Sequence, residues 1–242
     1  MHLITAFRKI PGVPELARLI RLIINPAHRS EWLLLRSKPG SLFQLSGLTW
    51  ANRHPREFGF VKERLSDVSA PRILSFGCST GEEVFSLREY FPNAEIVGID
   101  INPRSIAVCR KKLAQVRDPH IRFNVANSST AEPSAHYDAI FCLSVLRQAK
   151  LGATKPAHCA HLIRFNDFEK TVSDLCRCLK PDGYFIIIGS NFRFADTEIA
   201  AGFHAVFSRT EPLRTDTPLY DRSNHRLPDS PDTEVIFHKK LK

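Results

Sequence analysis

Three carboxylates and a run of small residues are the first chemistry this 242-residue chain offers. In "SFGCSTGEE" (Ser75 to Glu83), Gly77 and Gly81 stand four apart, with Cys78, Ser79 and Thr80 between them. A hydrophobic run precedes this stretch and an amphipathic run follows it. The pattern predicts a strand, a slim turn and a helix. Glycine permits the turn and leaves no Cβ in a ligand's way, so backbone N–H groups are expected to be open to a ligand. Glu82 and Glu83 fall in the first turn of the helix, where a carboxylate repels phosphate and attracts an ammonium or sulfonium. Asp100 ends the next hydrophobic run, 19 positions after Gly81. An acid at that place can accept hydrogen bonds from ribose hydroxyls.

The spacing is GxxxG rather than the GxGxxG of dinucleotide sites, and acids at the helix start oppose a pyrophosphate. Loop, acids and Asp100 together describe a site for a nucleoside that carries a cationic amino acid. S-adenosyl-L-methionine is the candidate cofactor.

The elements that must position these groups alternate regularly. RILSF (72–76), EIVGI (95–99), IRFNV (121–125), YDAIFCL (137–143), YFIIIG (184–189) and TEVIFHKK (233–240) read as strands. Helical periodicity separates them. One helix runs from Glu82 to Phe91. Another opens at Asn102 and Pro103, a capping residue and a first-turn proline, with Ile106, Cys109, Leu113 and Val116 on one face. A third carries Phe168, Val172, Leu175, Cys176 and Leu179 and stops at Pro181 and Gly183. Strands alternating with helices predict an α/β fold: a doubly wound, mainly parallel, seven-stranded Rossmann-like sheet. Residues 71–242 form this catalytic domain. Residues 1–70 lie outside the alternation and read as a basic N-terminal helical extension or lid, with Leu16, Leu19, Ile20 and Ile23 on one stripe.

Charge and cysteine content narrow the classes. Residues 1–70 hold 11 Lys/Arg against 5 Asp/Glu, which is +6 of the formal +9. Such a segment attracts anionic partners, RNA among them, or is a solvated surface. No RNA-binding module signature accompanies it. The six cysteines form no CxxC pair, and "HCAH" (158–161) lacks partner ligands, so no metal site is expected and buried free thiols are. No apolar run reaches the roughly 20 residues a membrane span needs, and no cleavable leader pattern opens the chain, so a cytoplasmic protein is expected.

"ILSFGCSTGEEVFSL", "IVGIDIN", "YDAIFCLSVL" and "LKPDGYFIIIGSN" together resemble the class I S-adenosylmethionine-dependent methyltransferases over about residues 70–192. "CSTGEE" with "IFCLSVL" is most similar to the chemotaxis-receptor carboxyl methyltransferases. The resemblance implies that Gly77, Cys78, Ser79, Gly81 and Glu82 border the methionine part of the cofactor and that Asp100 binds its ribose. It places Ile101 beside the adenine, Asn127 where the family commonly has an Asp on the adenine amino group, and Leu143 and Ser144 at the reaction site. After Ser144 the chain departs from the chemotaxis pattern into Arg147-Gln148-Ala149-Lys150, so their receptor substrate is not carried over. The Asn/Asp-Pro-Pro-Tyr/Phe signature of amino-methylating enzymes is missing there.

The expected activity is methyl transfer to an oxygen or carboxylate of a small molecule. A carboxylate acceptor needs no base, whereas a hydroxyl usually wants one. His54, with Arg53 and Glu57 in "TWANRHPREFGF", could reach over the cofactor from the lid. Arg147, Tyr220 and His225 lie on loops that could border the same cleft, and His54, Arg147 and Tyr220 are the candidates for catalysis. Three alternatives remain: a methyltransferase for RNA or a protein side chain, a non-catalytic module that binds the cofactor, and an aminopropyl transferase. The last normally has an acidic pocket after the fourth strand, where this chain is basic.

Overall fold

The computed structural model describes residues 24–37, 43, 44, 47, 49–210, 217–228 and 232–241. The expected stripe at Leu16 to Ile23 lies outside the described residues. Helices α1 (Pro26–Ser37) and α2 (Pro55–Arg64) precede the alternation, which then runs β1 (Arg72–Phe76), α3 (Glu82–Tyr90), β2 (Glu95–Asp100), α4 (Pro103–Val116), β3 (Ile121–Val125) and β4 (Tyr137–Leu143). It continues through α5 (Ala149–Thr154), α6 (Phe165–Cys178), β5 (Leu179–Ile188), two short 3-10 turns, β6 (Phe203–Ser208) and β7 (Glu234–Lys239).

The seven strands form one sheet in the order β3-β2-β1-β4-β5-β7-β6. β1 to β5 are parallel, and β7 runs antiparallel between β5 and β6. The sheet is therefore mostly parallel and doubly wound, as the alternation predicts. Central strands bury both faces: all seven residues of β4 are buried. Alternate residues feed two cores. Leu74, Ile140, Cys142 and Phe185 face one core with α6. Ile73, Phe141, Ile186 and Phe58 face the other with α2, α3 and α4. α2, from the part expected to be a separate extension, thus shares a core with the sheet through Phe58, Val61 and Leu65.

Three expectations change in detail. β5 starts at Leu179 rather than Tyr184, because Leu179 pairs with Tyr137 and the chain bulges before Tyr184 pairs with Ala139. α6 ends at Cys178, so Leu179 and the Pro181-Gly183 pair belong to the strand's irregular start. Val116 lies in the last turn of α4 and is 60% exposed, whereas Ile106 and Cys109 are buried. All six cysteines are buried free thiols. Among the described residues no helix is long and apolar enough to cross a membrane.

Candidate functional site

The carboxyl ends of β1, β2 and β4 open into a cavity of about 500 Å³. This is the switch point of the sheet, where β1 has β2 on one side and β4 on the other, and ligands of open α/β sheets bind there. Gly77, Cys78, Ser79, Asp100, Ile101, Asn127, Leu143 and Ser144 all line the cavity, and so do His54 and Arg147.

The turn after β1 is built differently from the sequence expectation. Gly77 has φ +76°, and a Cβ there would stand 2.4 Å from Val145 Cγ2. Gly81 has φ +92°, and its Cβ would meet Cys109 Sγ at 3.1 Å. Both glycines are demanded by backbone conformation and by the protein's own side chains rather than by a ligand's approach. Gly81 does not line the cavity. Nor are most of the turn's N–H groups open. Those of Gly77 and Cys78 donate to Ile99 O, that of Ser79 to Asp100 Oδ2, and that of Gly81 to Cys78 O.

Asp100 receives a second backbone bond, from Asn102 N to Oδ1, also at 2.8 Å. Burial raises its pKa while the two backbone donors oppose the shift. Each oxygen keeps a further lone pair for a ligand donor. Asn102 itself caps α4, accepting from Arg104 N at 3.0 Å.

The two first-turn acids separate. Glu82 turns away from the cavity, accepting from Lys112 Nζ at 2.5 Å and Thr80 Oγ1 at 2.6 Å. Glu83 lines the cavity instead and accepts from the buried hydroxyl of Ser75. Surrounding protein pushes the Glu83 carboxyl up to about 7, with the Ser75 bond and the Arg53 charge opposing. A carboxylate was expected here at Glu82. The sequence does not say which of two consecutive acids points inward, and the left-handed Gly81 N-cap decides it.

The segment before β1 closes the opposite wall. Asn52 N donates to Ser86 Oγ at 2.8 Å and Tyr90 Oη to Asn52 Oδ1 at 2.9 Å, so this segment is pinned to α3. Arg53 stacks 4.4 Å over the Trp50 ring and makes a long 3.5 Å contact to Ser144 Oγ. His54 precedes α2 and is 2% exposed, yet neither ring nitrogen has a hydrogen-bond partner among the described residues. Burial, then the charges of Arg53 and Arg209, lower its pKa to about 3. Glu57 does not reach the cavity; it is buried and pairs with Arg209 at 2.7 Å. Gln44, which the sequence did not single out, lines the wall with a buried Oε1 that has no partner among the described residues.

Arg147 is 3% exposed and sits on the loop after β4. Asn191 fixes that loop: its Oδ1 accepts from Gln148 N at 2.6 Å, its N donates to Leu146 O, and its Nδ2 donates to Pro218 O. Tyr220 is not at the cavity. It is fully buried, its N donates to Asn191 O and its hydroxyl to Pro156 O at 3.1 Å. It braces the loop that carries Arg147. His225 is likewise away from the cavity, its ring 5.1 Å from that of His158. Among the described residues no cluster of His, Cys, Asp or Glu has a metal-binding arrangement.

The cavity carries two carboxylates beside the slim turn after β1: Asp100 at the end of β2 and Glu83 in the first turn of α3. A family model for a methyltransferase domain matches residues 67–217. The chain belongs to that methyltransferase-domain family, enzymes whose methyl donor is S-adenosyl-L-methionine. A demethylmenaquinone methyltransferase of Thermus thermophilus is 30% identical over 118 residues, 48% of this chain and 46% of that one. A trans-aconitate 2-methyltransferase of Methylobacterium radiotolerans is 30% identical over 81 residues, 33% of this chain and 29% of that one. Among solved structures, the YcgJ protein of Bacillus subtilis is 20% identical with a TM-score of 0.43, covering 58% of this chain and 52% of that one. The matched region thus spans less than half the length of these two curated relatives.

Proposed function

We propose that the protein transfers a methyl group from S-adenosyl-L-methionine to an oxygen or carboxylate of a small molecule. The observation that carries this reading is the placement of Glu83 and Asp100 on one cavity, Glu83 in the helical turn that follows the slim turn after β1 and Asp100 at the end of β2, bonded to Ser79 N within that turn. When bound, the cofactor supplies a methyl group on a positively charged sulfur.

In this reading Asp100 accepts from the ribose hydroxyls through its remaining lone pairs. Ile101 and Asn127 border the adenine, and Gly77, Cys78 and Ser79 border the methionine chain. Glu83 holds the α-ammonium in place of Glu82, and the nearby Arg53 guanidinium suits the α-carboxylate. Leu143 and Ser144 flank the reacting methyl. Residues 49–65 form the lid, which excludes water from the site. Positioning the acceptor in line with the methyl supplies several kcal/mol of barrier reduction.

A small-molecule acceptor suits a cavity of about 500 Å³, and the names of both curated relatives point to small molecules. The likeness of "CSTGEE" to chemotaxis-receptor enzymes gains no support from those relatives. The test is calorimetry with S-adenosylmethionine, S-adenosylhomocysteine and NAD on wild type and Asp100→Ala. The first two should bind, and the variant should lose about 1–3 kcal/mol. Tight NAD binding with no response to the nucleoside sulfides would reject the reading.

A further inference from the structure

The wall of the cavity carries three buried polar atoms without a hydrogen-bond partner among the described residues: His54 Nδ1, His54 Nε2 and Gln44 Oε1. Burying a polar group without a partner costs free energy, so such atoms mark where a ligand completes the bonding. Arg147 lines the same cavity at 3% exposure. A guanidinium on the cavity wall attracts an anion that enters the cavity. Phe43, Phe58 and Trp50 supply the apolar surround.

Resting on the methyltransferase reading above, we propose that Arg147, His54 and Gln44 form the acceptor site, and that the acceptor is a small carboxylic acid methylated on its carboxylate. Arg147 attracts and orients the carboxylate. His54 donates its one N–H to the acid, and the amide of Gln44 bonds the acceptor's remaining polar group.

The choice of a carboxylate follows from the lack of a free proton acceptor among the described residues that line the cavity. The carboxylates lining the cavity, Glu83 and Asp100, belong to the cofactor's proposed cradle. Among the described lining residues His54 is the remaining side chain suited to take a proton, and it is held neutral. An imidazolium there would be buried and would feel the charges of Arg53 and Arg209, while Glu57, three residues on, is already paired with Arg209. A nucleophile that arrives ionised avoids this difficulty. One carboxylate oxygen forms the O–CH₃ bond as the S–CH₃ bond breaks, the electron pair stays on sulfur, and no proton moves. Opposite charges merge in that step, so an enclosed, low-dielectric site favours it. His54 is then a positioning donor rather than a base.

The test uses the full chain saturated with S-adenosylhomocysteine, titrated with succinate, citrate, benzoate and, separately, inorganic phosphate. At least one acid should bind. Arg147→Gln should weaken it by about tenfold, the loss of one charged hydrogen-bonded anchor, with cofactor affinity unchanged. His54→Gln keeps an N–H donor and should bind and turn over within a few fold of wild type, whereas His54→Phe should not. With methyl-labelled donor, wild type should form a product whose label mild alkali releases as methanol. Overturning results are an alkali-stable label, phosphate bound in preference to every acid, His54→Gln as inactive as His54→Phe, or bound homocysteine nucleoside with no acid bound or esterified. Failure of the homocysteine nucleoside itself to bind would instead bring down the underlying reading, and this proposal with it.

Discussion

The buried hydroxyl of Ser75, on β1, donates to Glu83 Oε1 across 2.8 Å. The bond ties the strand to the first turn of α3 and sets the one first-turn acid that faces the cavity. With its pKa raised from 4.5 to about 7, Glu83 is half protonated near neutrality. Neutral Glu83 therefore contributes stability that is fully present below about pH 4.5 and is lost as pH rises through about 7. A cationic ligand prefers the ionised form and has the opposite dependence. Affinity for S-adenosylhomocysteine should rise about tenfold from pH 6 to pH 8, with a proton released on binding at pH 6. Glu83→Gln should weaken binding and flatten the profile. Calorimetry in buffers of different ionisation enthalpy measures both, and a wild-type profile already flat would remove Glu83 from the ammonium's place.

His54 titrates the other way. Its pKa falls from 6.5 to about 3 in the folded state. The unfolded chain binds the proton first, so stability is full above about pH 6.5 and is lost as pH falls toward 3. Between pH 7 and pH 5 this single group should cost about 2 kcal/mol. His54→Gln should lose less stability than wild type over that interval. Urea unfolding of both proteins at the two pH values checks it; equal losses would mean that His54 reaches water more freely than its 2% exposure implies.

Gly77 and Val145 occupy one another's space. Alanine at 77 would meet Val145 Cγ2 at 2.4 Å and keep a φ of +76°. Gly77→Ala should cost about 2–3 kcal/mol, part from the clash and part from the backbone. Val145→Ala in the same chain removes the clash but not the backbone cost, so the double variant should recover some of the loss and not all of it. Thermal unfolding of the four proteins separates the parts. Strict additivity would show that the two residues do not compete.

Much of the scaffold was legible because its strands are buried on both faces and read as continuous apolar runs, "IVGI" and "FIIIG" among them. β6 was not singled out: "FHAVFS" forms an edge strand with mostly exposed residues, and its pairing with β7 is set by tertiary contacts. Asp100 was legible from its distance to Gly81, since the turn and helix between them have near-fixed lengths. The inward acid was not, because Glu82 and Glu83 are adjacent and the local backbone chooses between them. Tyr220 looked functional for its polar loop, but the fold spends it on bracing. Gln44 had no local signal at all; its segment reaches the cavity wall by a tertiary contact, Gly47 O accepting from Ser79 Oγ in the turn after β1.

Asn191 uses every polar group it has to hold the loop after β4. Its Oδ1, Nδ2, backbone N and backbone O reach Gln148, Pro218, Leu146 and Tyr220 in turn. It is 1% exposed, so water does not replace these bonds readily when the side chain is removed. Asn191→Ala leaves Gln148 N and Pro218 O without their partner and should cost about 2–4 kcal/mol, as expected for two buried groups each left unsatisfied. The damage should be local first. Amide exchange at Gln148 should accelerate, while amides in β1 and β2 keep their protection, because the core strands do not depend on this loop. Asn191→Asp keeps the acceptor for Gln148 N but not the donor for Pro218 O, so it should restore protection at Gln148 alone. If Asn191→Ala left exchange at Gln148 unchanged, the loop bearing Arg147 would be held by something other than this amide.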